Sequence, residues 1–230
     1  MMTEWQNGLL KIIKSENFMK DIGNVFILGD SYSTFKGHNP EGFDCWYADV
    51  ETPHTNVRRV EETWWHQMLA ETKSNLVENH SYSGTTICHT GYEGSDCREI
   101  SFVGRFEKLV AAGFFDENKI ATFFLFGGTN DSWAEAPVGE LMYEGWKSED
   151  LYKVLPAFCY LLERVKATLP ETRIICVINT ELKDDITEGF KVACEKYGVE
   201  YVALCDISKW AGHPNIDGMT QIKDQVLEIL

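Results

Sequence analysis

Positive charge is scarce in this sequence of 230 residues, which has 21 lysines and arginines against 36 aspartates and glutamates. The formal net charge is −15 at pH 7. Nucleic acids and anionic lipid surfaces are bound through basic faces, so this balance argues against both as partners. No apolar run is long enough to span a membrane, and the first residues lack the apolar stretch and cleavage site of a secretory signal. We therefore expect a cytoplasmic protein that does not bind a membrane.

No Cys-x-x-Cys pair occurs among the seven cysteines, and their odd number does not suit a framework of disulfides. Four cysteines lie in apolar segments, where a free thiol behaves as a small hydrophobic side chain: Cys159, Cys176, Cys194 and Cys205. This usage is typical of a reducing compartment. The spacings of His80, Cys88, His89 and Cys97 match no structural zinc site, so we expect no bound metal.

Short runs of β-branched and aromatic residues alternate with amphipathic stretches along the chain. The runs predict strands at 24–29, 75–79, 120–126, 173–178 and 200–205. The stretches between them predict helices at 61–73, about 100–112, 150–168, 184–197 and 216–230. Strands that alternate with helices form a parallel sheet covered on both faces. Since no linker or repeat is visible, we expect one doubly wound α/β domain over residues 1–230. In the first helix we expect only one of Trp64 and Trp65 to face inward.

Polar clusters follow four of the five predicted strands. They read GDSYS (29–33), NHSYSGTT (79–86), FGGTND (126–131) and CDISKWAGHPN (205–215). The carboxyl ends of parallel strands meet at the edge of the sheet where such folds bind ligands. The clusters bring a serine hydroxyl, several hydrogen-bond donors and a histidine to that edge, which are the groups that acyl transfer needs.

These four blocks resemble the motifs of the SGNH superfamily of GDSL-type esterases and lipases, over nearly the whole chain. The resemblance implies a flavodoxin-like three-layer α/β/α sandwich with a five-stranded parallel sheet. It implies that Ser31 is the nucleophile and His213 its base. The oxyanion would be held by the N–H groups of Ser31 and Gly84 and by the side chain of Asn130. The GxSxG motif of ordinary α/β-hydrolases is absent, because Ser33 stands where its second glycine would be.

One position departs from the family pattern. Members usually carry an aspartate three residues before the histidine, and Trp210 stands there in this sequence. Asp206 is the remaining candidate for orienting His213, and Asp217 is better explained by the dipole of the last helix. The alternative, which we favour, is a backbone carbonyl that holds the imidazole, so that Ser31 and His213 act as a dyad.

The expected function is therefore that of a serine ester hydrolase that works through an acyl-enzyme without metal or cofactor. The expected substrate is a short-acyl ester of a small molecule or carbohydrate. The loop aromatics Trp46, Tyr47 and Trp133 are candidates for stacking on a sugar ring or for walling an acyl pocket. Two alternatives stay open. Hydroxyl-rich loops after strands also suit a flavodoxin-like flavin or phosphate binder, and Trp210 is compatible with a catalytically weak binding module on the same fold. The sequence makes no prediction of the oligomeric state.

Overall fold

A parallel sheet of five strands in the order β2-β1-β3-β4-β5 forms the centre of the molecule, for which a computed structural model describes residues 21–230. The strands are β1 (Asn24–Gly29), β2 (Asn75–Ser81), β3 (Thr122–Gly127), β4 (Arg173–Ile178) and β5 (Glu200–Ala203). This order is that of flavodoxin-like doubly wound folds. The predicted three-layer α/β/α architecture is confirmed.

Burial explains why the strands have their sequences. All six residues of β3 are buried, and both of its faces are covered, so the strand is a continuous apolar run. The edge strand β2 is buried only in its carboxyl-terminal half, which brings Asn79, His80 and Ser81 inside. Polar side chains therefore enter the interior at the carboxyl edge of the sheet.

Helices cover both faces of the sheet. They are α1 (Trp64–Thr72), α2 (Phe102–Ala111), α3 (Phe114–Glu117), α4 (Thr129–Trp133), α5 (Val154–Thr168), α6 (Asp184–Tyr197) and α7 (Ile216–Leu227). Helices α1 and α7 pack together on one face, and α2, α5 and α6 lie on the other. None of the helices within residues 21–230 has the length and apolar character needed to cross a bilayer.

Two expectations about buried side chains are wrong. Trp64 and Trp65 are both buried, because Trp64 packs edge-on against Phe124 of β3 while Trp65 lies beneath the preceding loop, next to His38. Cys205 was expected in an apolar environment and is exposed, because β5 ends two residues earlier at Ala203.

The segment after β5 carries a short antiparallel hairpin that the sequence did not predict. Its strands are β6 (Lys209–Trp210) and β7 (His213–Pro214), with Trp210 opposite His213. The two residues between them, Ala211 and Gly212, have φ values of 46° and 78°. Positive φ at both central residues is the pattern of the tight turns that suit the twist of a hairpin. This hairpin delivers His213 to the carboxyl edge of the sheet.

Candidate active site

The serine at the end of β1 lies on a tight turn. The chain leaves Gly29 and forms a single 3-10 turn at Ser31–Ser33. The Asp30 carboxylate caps this turn by accepting from the Tyr32 N–H at 3.0 Å. A side chain at Gly29 would place its Cβ 2.4 Å from Ser81 Oγ. Glycine is therefore required for the close approach of this turn to β2.

The hydroxyl of Ser31 meets the imidazole of His213. Ser31 Oγ lies 2.9 Å from His213 Nε2, and His213 Nδ1 lies 3.1 Å from the carbonyl oxygen of Ala211. A carbonyl oxygen only accepts hydrogen bonds, so Nδ1 carries the proton and Nε2 has its lone pair free for the Ser31 hydroxyl. This tautomer is the one a general base needs.

Burial keeps this imidazole neutral. The pKa of His213 is lowered from 6.5 to about 4, mainly because burial penalises the charged ring, and the nearby Lys209 ammonium lowers it further. The hydrogen bond to Ala211 opposes this shift. Lys209 is itself held by the Glu181 carboxylate at 3.0 Å and by the Thr180 hydroxyl at 2.6 Å. At neutral pH His213 is thus an uncharged acceptor.

The structure does not bring the sequence-predicted acid to this histidine. Asp206 is exposed and has a φ of 53°. Within the described residues, no hydrogen bond or ion pair joins its carboxylate to His213. Trp210 is also exposed, and Asp217 lies in the first turn of α7. The atom that contacts Nδ1 is a backbone carbonyl, as in the dyad alternative.

Asn130, on the first turn of α4, is buried and held from two sides. Its Nδ2 donates to the carbonyl oxygen of Thr85 at 3.1 Å, and its Oδ1 accepts from the Tyr92 hydroxyl at 2.8 Å. The same Nδ2 lies 3.5 Å from Asp30 Oδ2, which places the amide beside the serine turn. Gly84 immediately precedes Thr85, has φ of 79°, and is open to solvent. Ser31, Gly84 and Asn130 thus lie on three segments that meet at this edge.

Two buried carboxylates hold these segments in place. Asp131 accepts from the N–H groups of Ile87 at 2.8 Å and Cys88 at 3.1 Å, which ties the loop after β2 to α4. Burial raises the pKa of Asp131 to about 6. Burial likewise raises the pKa of Asp30 to about 7, and the proximity of Asp131 adds to this shift.

The three candidate pocket aromatics are placed differently from one another. The Trp46 indole stacks on the His213 imidazole, with ring centroids 3.6 Å apart and planes inclined by 7°. Trp133 meets the same imidazole edge-to-face at 5.6 Å and is 43% exposed. Tyr47 is fully buried, and its hydroxyl donates to the Pro214 carbonyl at 2.8 Å. Tyr47 therefore stabilises the hairpin of β6 and β7 by this hydrogen bond and does not line an open pocket.

Sequence reasoning missed two tyrosines at this site. Tyr32 lies 5.3 Å from His213, ring centroid to ring centroid, and its hydroxyl donates to the Gly212 carbonyl at 2.6 Å. Tyr92 binds the Asn130 side chain through its hydroxyl. The position of Tyr32 between Ser31 and Ser33 was a usable signal, whereas nothing in the sequence around Tyr92 marks it.

The sequence profile of the GDSL-like Lipase/Acylhydrolase family matches residues 23–230. The chain belongs to this family. As a member it is a carboxylic ester hydrolase, which favours the esterase prediction over the flavin- or phosphate-binding alternative. A comparison with curated proteins finds no match.

Solved structures of GDSL-like lipases are similar to this family member over most of its length. A protein from Bacteroides uniformis, assigned as a GDSL-like lipase, is 44% identical, with a TM-score of 0.84 over 90% of this chain and 95% of that one. Another from Bacteroides ovatus is 39% identical, with a TM-score of 0.84 over 90% and 97% of the two chains. A family two carbohydrate esterase from Clostridium thermocellum, solved in complex with cellohexaose, is 13% identical over 90% of this chain and 63% of that one. At a TM-score of 0.59 it shares the fold.

Proposed function

We propose that Ser31 and His213 are the catalytic dyad of an esterase that hydrolyses short-acyl esters through an acyl-enzyme. The observation that carries the proposal is the 2.9 Å contact between Ser31 Oγ and His213 Nε2, with Nδ1 committed to the Ala211 carbonyl. A serine hydroxyl is a weak nucleophile until an adjacent base removes its proton. Here the base is neutral, correctly protonated and within hydrogen-bond distance.

The reaction proceeds in two halves. Ser31 Oγ attacks the ester carbonyl carbon while its proton moves to His213 Nε2, and the resulting imidazolium returns that proton to the alcohol oxygen as the ester C–O bond breaks. Water then gives a proton to Nε2 and attacks the acyl carbon. Ser31 leaves as an alkoxide that takes the proton back. One ester and one water yield one acid and one alcohol.

The negative charge on the carbonyl oxygen would be held by the N–H groups of Ser31 and Gly84 and by the Asn130 amide. No hydrogen bond within residues 21–230 uses either N–H group as a donor, so both are free to bind an oxyanion. Asn130 Nδ2 has two hydrogens: the Thr85 carbonyl accepts one at 3.1 Å, and the other makes only a long 3.5 Å contact with Asp30 Oδ2, which an oxyanion would replace. Donors fixed before the reaction stabilise the transition state without reorganising, which makes such groups effective.

The substrate we propose is a short-acyl ester of a carbohydrate, such as an acetylated sugar. Ser31 and His213 are only 1% and 5% exposed, which suits a small acyl group better than a long chain. Around them, Trp133 and Tyr92 are each 43% exposed while contacting site residues. Exposed aromatic faces beside the nucleophile suit stacking against a sugar ring.

Covalent labelling tests the dyad. A fluorophosphonate is expected to label Ser31, with the adduct mapped by mass spectrometry, and His213→Ala should largely abolish labelling. Ser83→Ala, in the neighbouring loop, is the matched control and should label like the wild type. An adduct on Ser33 or Ser83 would overturn the assignment.

A panel of esters tests the substrate class. Acetyl, butyryl and octanoyl esters of p-nitrophenol, together with acetylated mono- and oligosaccharides, are assayed with wild type and Ser31→Ala. We expect acetyl esters to have the highest kcat/KM and Ser31→Ala to hydrolyse none of them. A preference for octanoyl esters would contradict the short-acyl proposal. Binding of the sugars without any turnover would identify a binding module on this fold.

A further inference from the structure

Three aromatic rings surround the imidazole of His213. Trp46 lies flat on one face, with ring centroids 3.6 Å apart and planes inclined by 7°. Trp133 approaches edge-to-face at 5.6 Å, and Tyr32 lies at 5.3 Å with its ring tilted by 52°. Trp46 comes from the loop after the serine turn, Trp133 is the last residue of α4, and Tyr32 comes from the serine turn itself. The enclosure is therefore produced by the tertiary fold.

The contact of Nδ1 with a carbonyl leaves one task of a catalytic acid unfilled. In a serine-hydrolase triad the carboxylate orients the imidazole and also stabilises the imidazolium that forms when the serine proton arrives. The Ala211 carbonyl can orient the ring through its 3.1 Å hydrogen bond, but it carries no full negative charge. Some other group has to favour the charged form in the transition state.

The charged groups around His213 do not supply this stabilisation. Lys209, on the same hairpin, is cationic and opposes a second positive charge, although Glu181 pairs with it at 3.0 Å. His54 is a neighbour of Trp46, with the centroids of those two rings 6.3 Å apart. Within the described residues no carboxylate contacts the imidazole. Of the three surrounding rings, Trp46 is the one that lays its electron-rich face flat against the imidazole, at the shortest distance.

We propose that the face of Trp46 stabilises the His213 imidazolium by a cation–π contact and so performs the charge-stabilising task of the missing carboxylate. Tryptophan is the best aromatic partner for a cation, and the contact strengthens when both rings are removed from water. This role rests on the proposed function of Ser31 and His213. Trp46 acts through the histidine, so it is a positioning residue.

The backbone couples Trp46 to the nucleophile. The Trp46 N–H donates to Thr34 Oγ1 at 2.9 Å, and that hydroxyl donates to the Ser31 carbonyl at 2.9 Å. Two short hydrogen bonds thus fix the backbone of Trp46 against the serine turn. Because the same turn holds both groups, the serine hydroxyl meets the edge of the imidazole at Nε2 while the indole covers one of its faces.

The test removes the π face while keeping an apolar side chain at position 46. For Trp46→Leu we expect kcat to fall by about five- to thirtyfold with little change in KM, the range that a buried cation–π contact supplies. Trp46→Phe keeps a weaker aromatic face and should lie between Trp46→Leu and the wild type. Trp146→Leu, at a tryptophan that packs against Tyr160 on the other face of the sheet, is the matched control and should retain wild-type kcat.

A second readout separates this role from a merely structural one. After Ser31 is phosphonylated and the adduct has lost its alkoxy group, the remaining phosphonate is an anion that favours the imidazolium, whose titration is followed by NMR. We expect Trp46→Leu to lower the titration midpoint by about 0.7–1.5 pH units, which corresponds to the loss in kcat. A midpoint that moves to higher pH would show that Trp46 acts by excluding water, and would overturn the proposal. If Trp46→Leu does not fold, the same shift in the same direction, but smaller, is required of Trp46→Phe.

The outcomes distinguish this inference from the proposed function. If Ser31→Ala keeps full activity, the dyad itself is wrong, and the role of Trp46 is wrong with it. If Ser31→Ala is inactive while Trp46→Leu keeps wild-type kcat and midpoint, only the role of Trp46 is overturned.

Discussion

The carbonyl oxygen of Ala211 lies 3.1 Å from Nδ1 of His213, where a serine-hydrolase triad has a carboxylate. Ala211 reaches this position because its φ is 46°, in the left-handed region. That conformation costs a non-glycine residue about 1–2 kcal/mol, so the surrounding hairpin has to stabilise it. Tyr32 contributes by donating to the next carbonyl, that of Gly212, at 2.6 Å. In the proposed dyad, the backbone of a hairpin orients the base.

Asp206→Asn should therefore change kcat by less than about tenfold, equivalent to less than roughly 1.4 kcal/mol in the activation barrier. Where a triad carboxylate sets the tautomer, the same substitution costs about 10⁴ in kcat. Steady-state kinetics on a variant whose far-UV circular dichroism matches the wild type measures the difference. A well-folded variant slowed a thousandfold would mean that Asp206 moves to His213 during turnover and that the enzyme is a triad.

Asn130→Ala should lower kcat by about 10²–10³ with little change in KM, because an oxyanion donor acts mainly as charge develops. Kinetics with an acetyl ester measures both constants. A large rise in KM at unchanged kcat would identify Asn130 as a substrate-binding residue instead.

Tyr92→Phe tests which group orients the side-chain amide of Asn130. Removing the hydroxyl that donates to Asn130 Oδ1 at 2.8 Å leaves the amide free to flip, and we expect kcat to fall by about two- to tenfold, the range of one neutral hydrogen bond. Tyr201→Phe, remote from the site, is the control and should match the wild type. An unchanged kcat for Tyr92→Phe would show that the Thr85 carbonyl alone fixes the amide.

The pH dependence of kcat/KM should reflect the buried state of His213. Only the neutral imidazole accepts the serine proton, and burial lowers its pKa to about 4, so activity is lost only as the pH falls toward that value. The values of kcat/KM at pH 5.5 and pH 8 should therefore be nearly equal. An ordinary histidine would cause a drop of about tenfold at pH 5.5. Such a drop would show that the imidazole is solvated in the working enzyme.

Compared with the wild type, Asp30→Asn should gain stability as the pH rises from 5 to 8. The pKa of Asp30 is raised to about 7 by burial, so between its ordinary pKa and this value the folded state binds more protons than the unfolded state. Its contribution to stability is accordingly lost as the pH rises through this window. Asparagine does not ionise, and it can still accept from the Tyr32 N–H.

Urea unfolding at pH 5 and pH 8 measures the effect. Relative to the wild type, the free energy of unfolding of Asp30→Asn should be higher at pH 8 than at pH 5, by on the order of 2 kcal/mol. Asp49→Asn, an exposed loop carboxylate, is the control and should show the same difference from wild type at both pH values. If Asp30→Asn, like Asp49→Asn, differed from the wild type by the same free energy of unfolding at both pH values, Asp30 would be ionised in the folded protein throughout this range.

The strands and long helices could be predicted because their patterns are local. The runs at 24–29 and 173–178 coincide with β1 and β4, since a strand buried on both faces has to be continuously apolar. The amphipathic stretch 184–197 coincides with α6. The short helices α3 and α4 and the two-residue strands of the hairpin were not predicted, because so few residues cannot display a period.

The sequence by itself determined the family, the order of elements and the candidate residues Ser31, Gly84, Asn130 and His213, because each sits in a short motif after a strand. The tertiary structure alone decided what surrounds His213. Its Nδ1 partner depends on a left-handed alanine that no pattern marks, and the stacked indole comes from Trp46, in a loop far from His213 in the chain. Contacts between distant segments form only when the sheet brings its carboxyl edge loops together, so no local pattern of residues encodes them.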